Sequence, residues 1–174
     1  MFFKDLLNNF HSVTVMNRRV KVLSKACCDM METGGSVLDV GCGDGTVALS
    51  ILSHRPDLNI VGVDVFLRPK VAIPAIIYNG TKIPYDTKTF DYVMIVDVLH
   101  HTDNPVAVLS ECLRVSKKGV IIKDHLLTGF AARQTLRFMD WVGNRGHDVR
   151  LPYNYLSEDG WKDVFEGAGC QLVR

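Results

Sequence analysis

The sequence predicts an α/β protein built on one doubly wound, mainly parallel sheet. Short apolar runs typical of buried strands alternate along the chain with stretches whose apolar residues recur at helical spacing. The first such run opens into a turn with glycine at positions 41, 43 and 45, and a helical pattern follows at once. A chain of 174 residues fits one domain with a substantial core. We therefore assign residues 1–174 to a single domain.

The first part of the chain is predicted to supply a helical cap and two strands. Residues 1–33 form the cap, because an amphipathic helical pattern there stops at two consecutive glycines. The glycine turn follows strand one, and strand two ends with an acid, Asp64. The predicted ranges are helix 17–32, strand 36–40, helix 45–52 and strand 59–65.

The connection after strand two is predicted to be unusually short. Residues 66–73 alone separate it from the apolar run 75–78, whereas a crossover between parallel strands needs about a dozen residues or more. Pro69 and Pro74 further oppose a full helix. We expect a loop or a single helical turn here, with strand three placed irregularly at the sheet edge.

The rest of the chain is predicted to complete the sheet. Asn104 is expected to cap a helix that starts at Pro105 and ends at Gly119, with two lysines in its last turn. Phe138 and Trp141 lie at helical spacing and are expected in the core. The predicted ranges are strand 92–96 or 97, helix 105–118 with Val106, Leu109 and Leu113 facing the sheet, strand 120–123, and helices 128–142 and 157–166.

The end of the sheet is predicted to be incomplete. Residues 170–174 can supply the start of a sixth strand, and the sequence then stops. Either the final strand is missing in this protein or the sequence is a shortened version. A sheet that lacks this strand has an unpaired edge, which a homodimer would cover.

Composition excludes several functional classes. Net charge is +1 and the basic residues are scattered, so neither nucleic acid nor a membrane surface is an expected partner. The short basic group 18–21 is interpreted as a solvated helix face. Five cysteines without a CxxC pair disfavour a structural metal and fit reduced thiols in a cytoplasmic protein, for which we also expect no signal peptide.

Four ordered motifs resemble class I S-adenosylmethionine-dependent methyltransferases. Residues 37–48 resemble the family's first motif, and residues 83–93 resemble its LPF-x-x-x-x-FD segment. Residues 98–101 match its VLHH turn, and residues 113–119 resemble LRVLKPGG, with lysine for proline and valine for the second glycine. Residues 155–169 resemble a late helix of the family more weakly. The resemblance covers about half the chain.

The resemblance implies a Rossmann-like methyltransferase fold that binds S-adenosylmethionine. Asp39 suits a positively charged group of the ligand, and Asp64 holds the position that accepts hydrogen bonds from ribose hydroxyls. Asn79 replaces the family's acid at the adenine amino group and can accept through its amide oxygen. The implied cofactor-binding residues are Asp39, Gly41, Cys42, Gly43, Gly45, Asp64, Val65, Asn79, Gly80 and Val96.

The expected reaction is methyl transfer to a small-molecule acceptor, mainly through proximity and alignment. Polar residues follow strands four and five, and His101, Asp124 and His125 are the catalytic candidates. For the histidines at 100 and 101 the alternative is a structural turn pair, one packing and one capping.

Three other functions remain to be weighed. A protein that binds S-adenosylmethionine without catalysis would fit the shortened connection and the missing strand. A nicotinamide-dependent enzyme is disfavoured because Thr46 stands where the dinucleotide-binding motif GxGxxG has its third glycine. Asp39, which precedes the glycine turn, also disfavours it. A nucleic-acid methyltransferase is disfavoured because the Asn/Asp-Pro-Pro-Tyr motif is absent.

Overall fold

The computed structural model describes residues 18–129, 131–144 and 153–173. Its five strands form one parallel sheet in the order β3-β2-β1-β4-β5. The predicted fold class is confirmed. The elements are α1 (18–29), β1 (Gly35–Val40), α2 (Thr46–His54), β2 (Leu58–Asp64), β3 (Ala75–Ile77), β4 (Phe90–Val96), a 3-10 turn (Leu99–His101), α3 (Pro105–Val115), β5 (Ser116–Lys123), α4 (Ala132–Asn144) and α5 (Glu158–Gly167).

Helices cover both faces of the sheet, as a doubly wound fold requires. On one face, Leu38 of β1 packs in a core that includes Leu109 of α3 and Val164 of α5. On the other, Val37 packs with Ile51 of α2 and with α1. Because successive strand residues point to opposite faces, β1 and β4 are apolar almost throughout.

The short connection after β2 contains no helix, which confirms the prediction, and β3 is a three-residue edge strand. The loop of residues 65–74 folds back onto the glycine turn. The amide of Ala72 donates to the carbonyl of Asp44 over 2.8 Å, and Ile73 is buried against the turn. The loop therefore supports the turn.

Helix α3 starts as predicted, with Asn104 as its cap and Pro105 at its first position. The Asn104 side-chain oxygen accepts from the amide of Ala107 over 3.0 Å. Of the three residues expected on the sheet-facing side, Leu109 is buried, whereas Val106 and Leu113 are half-buried. The buried face is Val108, Leu109, Cys112 and Val115.

We expect Asn104→Ala to lower the free energy of unfolding by about 1 kcal/mol, because the first-turn amide loses its acceptor. Asn104→Ser keeps a capping oxygen and is expected to cost only a few tenths of a kcal/mol. Urea unfolding followed by circular dichroism measures both variants. Equal destabilisation by the two substitutions would contradict the capping role.

The end predicted for α3 is wrong. The helix stops at Val115, and Lys117, Lys118 and Gly119 lie in β5. Strand pairing begins at Ser116, which faces Phe90 across the ladder. Hydrogen bonding to β4 therefore overrides the local helix-end signal of two lysines and a glycine.

The C-terminal region confirms one prediction and corrects two. Ser157 caps α5, its hydroxyl accepting from the amide of Gly160 over 3.2 Å. Residues 170–173 form no strand, so the predicted start of a sixth strand is wrong for these residues. Phe138 and Trp141 are 65% and 48% exposed rather than in the core. Their spacing placed them on one helix face, but it could not show whether that face is covered.

No described helix has the length and apolar character needed to cross a membrane.

Candidate active site

A cavity of about 350 Å³ opens at the carboxyl ends of β1 and β4. The strand order reverses between these two strands, and open α/β sheets bind their ligands at this point. Residues from the glycine turn, α1 and the end of β4 form its walls. The lining residues are Arg19, Val20, Leu23, Asp39, Gly41, Cys42, Gly43, Asp44, Thr46, Val47, Arg68, Val96 and Asp97.

The glycine turn needs glycine for two different reasons. Gly41, Gly43 and Gly45 all have positive φ, which side-chain-bearing residues rarely adopt. At Gly41 a Cβ would also lie 2.3 Å from a methyl group of Val98. At Gly43 the nearest atom would be 3.8 Å away, so the backbone there is open to a ligand. Gly45 is not among the residues that line the cavity and is the N-cap residue of α2.

Asp64 faces the glycine turn from the end of β2. One carboxylate oxygen accepts from the amide of Gly43 over 2.8 Å, and the other accepts from the amide of Phe66 over 3.2 Å. The carboxylate therefore sits at the edge of the cleft. Asp64 is not among the residues that line the described cavity, but it adjoins Gly43, which is.

Asp39 points into the cavity from the middle of the sheet. It is 4% exposed, and its carboxylate makes no hydrogen bond within the described part of the chain. Burial, and then the charge of Asp64, raise the pKa of Asp39 to about 7. A buried carboxylate without compensation is costly. A cationic ligand in the cavity would stabilise its ionised form.

Two arginines bring positive charge to the same cavity. Arg19 of α1 forms an ion pair with Asp97, and Arg68 lies 3.8 Å from a carboxylate oxygen of Asp44. Arg19 is exposed, as the interpretation of residues 18–21 as a solvated face predicts, and it also reaches the cavity wall. Asp97 has φ 56°, a conformation that is uncommon outside glycine, and it also pairs with Lys123. The cavity thus combines acidic and basic groups, as a zwitterionic ligand requires.

The residues expected near adenine lie together outside the described cavity. A Cβ on Gly80 would lie 3.1 Å from Val65, so these two residues are adjacent. The Asn79 amide oxygen accepts from the amides of Thr81 and Lys82 and from the Thr81 hydroxyl, at 2.9–3.0 Å. The turn itself therefore uses the oxygen that was expected to meet adenine.

Cys42 contributes shape rather than reactivity. Burial raises the pKa of its thiol to about 12, with Asp39 and Asp64 adding to the effect, so the thiol stays protonated. Its sulfur would lie 2.5 Å from a Cβ on Gly62. Gly62 was not predicted as part of the turn's surroundings, and its signal in the sequence is a glycine inside a strand pattern.

A histidine cluster lies beside the cavity, at the ends of β4 and β5. His100 and Asp124 are buried, and their Nδ1 and Oδ1 atoms are 2.5 Å apart. Asp124 also accepts from the amides of His100 and His125. Burial would raise the pKa of Asp124, but the hydrogen bond and charge of His100 outweigh it and lower the pKa below its usual range. Asp124 is therefore an anionic anchor for both histidines.

The structure brings all three predicted catalytic residues into this cluster. The ring of His101 lies 3.9 Å and that of His125 4.8 Å from the ring of His100. Nε2 of His125 is 3.6 Å from the Asp97 carboxylate, which lines the cavity. Within the described ranges, no group of histidine, cysteine, aspartate and glutamate side chains has the geometry of a metal site.

Comparison with protein families gives one match over most of the chain. A family model described as "Methyltransferase domain" matches residues 14–174. A ubiquinone biosynthesis O-methyltransferase from Aliivibrio fischeri is 33% identical over 98 residues, which is 49% of this chain and 41% of that protein. An uncharacterized methyltransferase from Schizosaccharomyces pombe is 32% identical over 137 residues, 68% of this chain and 49% of that protein. The chain thus spans about half or less of these relatives.

Solved structures share the fold. A Haloferax volcanii putative methyltransferase, determined in complex with the Trm112 methyltransferase activator, superposes with a TM-score of 0.69 at 16% identity, covering 92% of this chain and 73% of that one. CalO1, a methyltransferase of calicheamicin biosynthesis solved with S-adenosylhomocysteine, gives a TM-score of 0.65 at 22% identity, covering 98% and 53%.

Proposed function

The chain belongs to the family of S-adenosylmethionine-dependent methyltransferase domains, and we propose from this that it transfers the methyl group to a small-molecule acceptor, mainly by aligning the two reactants. The observation that carries the proposal is Asp39, a buried carboxylate in a cavity whose floor is a glycine turn. A dinucleotide pyrophosphate would meet a negative charge there, whereas a cationic ligand would be favoured.

The residues present fit this cofactor. Asp39 matches its positive charge, Gly43 leaves the backbone open, and Asp64 stands where a carboxylate can bind ribose hydroxyls. Arg19 supplies a cation for the carboxylate end. When bound, the cofactor supplies a methyl group on positively charged sulfur, which is already activated for displacement. The task of the chain's residues is therefore to orient the reactants and exclude water.

The acceptor is proposed to be a small hydroxylated molecule. Several relatives are named ubiquinone biosynthesis O-methyltransferases, and the histidine cluster beside the cavity offers groups that can accept a proton. We also propose a cytoplasmic location for the protein. We further propose that a homodimer covers the sheet edge at β5, because no described strand lies outside β5.

The second candidate is a protein that binds the cofactor without catalysis. The connection after β2 favours it, since a loop stands there in place of the helix that the family's fold leads one to expect. Incubation with S-adenosylmethionine and a set of phenols, followed by chromatographic detection of S-adenosylhomocysteine, separates the two. Acceptor-dependent product supports the enzyme, and binding of the cofactor without product supports the alternative.

Asp64 is expected to act on the nucleoside part of the ligand and Asp39 on its amino-acid part. We predict that Asp64→Asn weakens binding of both S-adenosylhomocysteine and 5′-methylthioadenosine roughly 10- to 30-fold, because a charged acceptor is worth about 1.5–2 kcal/mol. Asp39→Asn should weaken only S-adenosylhomocysteine, since methylthioadenosine lacks the amino-acid end. Calorimetry with both ligands measures this. If Asp39→Asn weakens methylthioadenosine binding as much as S-adenosylhomocysteine binding, the assignment is contradicted.

A further inference from the structure

The two arginines that line the cavity reach it from the two sides of β1. Arg68 belongs to the loop after β2, and its guanidinium lies 3.8 Å from a carboxylate oxygen of Asp44. Arg19 belongs to α1 and pairs with Asp97, the residue that follows β4. Because Asp64 at the end of β2 is proposed to bind the ribose, we expect the amino-acid end of the cofactor to lie toward β4 and Arg19.

The Asp97 carboxylate is shared between two cations. Its Oδ2 atom pairs with Arg19, and its Oδ1 atom pairs with Lys123 of β5. Because the two cations use different oxygens, the carboxylate keeps Lys123 when Arg19 leaves. The departure of Arg19 therefore leaves no uncompensated charge in the cavity wall.

Arg19 is the more exposed partner of its ion pair. Its side chain is 43% exposed, compared with 14% for Asp97. An ion pair that is partly in water stabilises a protein weakly, because solvent screens it and both side chains lose freedom. A carboxylate that enters the cavity can therefore compete with Asp97 for the guanidinium.

Helix α1 is held in place by contacts that do not involve this ion pair. Ser24 is buried, and its hydroxyl accepts from the hydroxyl of Ser50 in α2 over 2.9 Å. The guanidinium of Arg55 donates to the carbonyls of Cys28 and Met31 over 3.2 Å and 3.1 Å. These contacts anchor the helix, so an exchange of partners by the Arg19 side chain does not require the helix to move.

We propose that Arg19 selects a ligand that carries a carboxylate and that Asp97 occupies Arg19 until such a ligand binds. This deepens the proposed function and rests on it. On binding, the guanidinium leaves Oδ2 of Asp97 and pairs with the ligand carboxylate, whose two oxygens match its planar donors. Asp97 thus competes with the ligand, and the wild-type affinity is lower than it would be with Arg19 unoccupied.

Asp97→Asn tests the competition, and the expected result is a gain of affinity. Asparagine keeps the side-chain shape and tolerates a positive φ such as the 56° of Asp97. S-adenosylhomocysteine should bind the variant about three- to fivefold more tightly, because a partly exposed ion pair no longer holds Arg19. Decarboxylated S-adenosylhomocysteine, which keeps the amine, should bind variant and wild type equally. Calorimetry measures both ligands.

Two further variants should lose affinity. Arg19→Gln should weaken S-adenosylhomocysteine binding by about tenfold, since a charge-assisted contact is lost. Adding Asp97→Asn to this variant should then bring no gain. Lys123→Gln should weaken binding about two- to threefold, because Asp97 then holds Arg19 more strongly. Arg18→Gln is the matched control, since Arg18 is an exposed neighbour outside the cavity lining and should bind as the wild type does.

A measurement on the wild type needs no stable variant. The Arg19 side-chain NMR signal, identified by its absence in Arg19→Gln, should shift when S-adenosylhomocysteine is added and should not shift with the decarboxylated ligand. An unshifted signal with bound S-adenosylhomocysteine would overturn the inference. So would an Asp97→Asn variant that gains no affinity, gains it equally for both ligands, or gains it without Arg19. A wild-type chain that fails to bind S-adenosylhomocysteine would overturn the proposed function itself.

Discussion

Asp39→Asn is expected to weaken S-adenosylmethionine binding by about 2–3 kcal/mol, roughly 30- to 160-fold in Kd. The carboxylate is buried in the cavity and has no hydrogen-bond partner within the described part of the chain, so its charge is available to a cationic ligand. The substitution keeps the side-chain shape and removes that charge. Calorimetry at pH 8 measures the loss. Asp163→Asn on the exposed face of α5 is the control.

The same residue should make ligand binding depend on pH. The pKa of Asp39 is about 7 in the free protein, and a bound cation would lower it. Binding should therefore be weaker at pH 5.5 than at pH 8, with proton release at the lower pH. Calorimetry in buffers of different ionisation enthalpy counts the protons released. A Kd that is independent of pH would contradict the role assigned to Asp39.

The stability of the ligand-free protein should change in the opposite direction. The folded pKa lies above the unfolded value of 3.8, so the folded protein takes up a proton between about pH 7 and pH 4 that the unfolded chain does not. Stability contributed by this group is complete below about pH 4 and is lost as pH rises through 7. Asp39→Asn should flatten this slope and raise stability at pH 8 by up to about 4 kcal/mol. Thermal unfolding across this range measures it.

Gly41→Ala is expected to destabilise the fold by about 3 kcal/mol. The left-handed backbone at φ 73° costs a residue with a Cβ about 1–2 kcal/mol, and the Cβ would lie 2.3 Å from Val98, which adds an overpacking cost of similar size. Gly34→Ala is the matched control, because Gly34 has φ 70° and no atom within 4 Å of its Cβ position. It should cost about 1–2 kcal/mol.

A double-mutant cycle separates strain from overlap. Val98→Ala removes the two methyl groups that the new Cβ would meet, so Gly41→Ala should cost less in that background by about 1 kcal/mol or more. Urea unfolding measures all four proteins. If Gly34→Ala and Gly41→Ala prove equally costly, the close approach of Val98 to the turn does not matter for stability.

Local chemistry explains which parts of the fold were predictable. The apolar strands and the glycine turn are encoded by consecutive residues. The missing helix after β2 follows from eight residues that contain a proline. The Asn104 and Ser157 caps were also visible, because capping depends on residues three apart. The end of α3 could not be predicted from nearby residues, because the pairing of Ser116 with Phe90 decides it. Phe90 begins β4, 26 residues earlier in the chain.

The sequence by itself determined the parallel α/β fold, the glycine turn and an acid at the end of β2. Only the tertiary structure showed that Arg19 reaches Asp97, 78 positions away, and that Asp97 stands between the cavity and His125. It also left Phe138 and Trp141 exposed. The physical reason is range: backbone conformation and hydrophobic periodicity are set by near neighbours, whereas charges and rings from distant segments meet only when the sheet assembles.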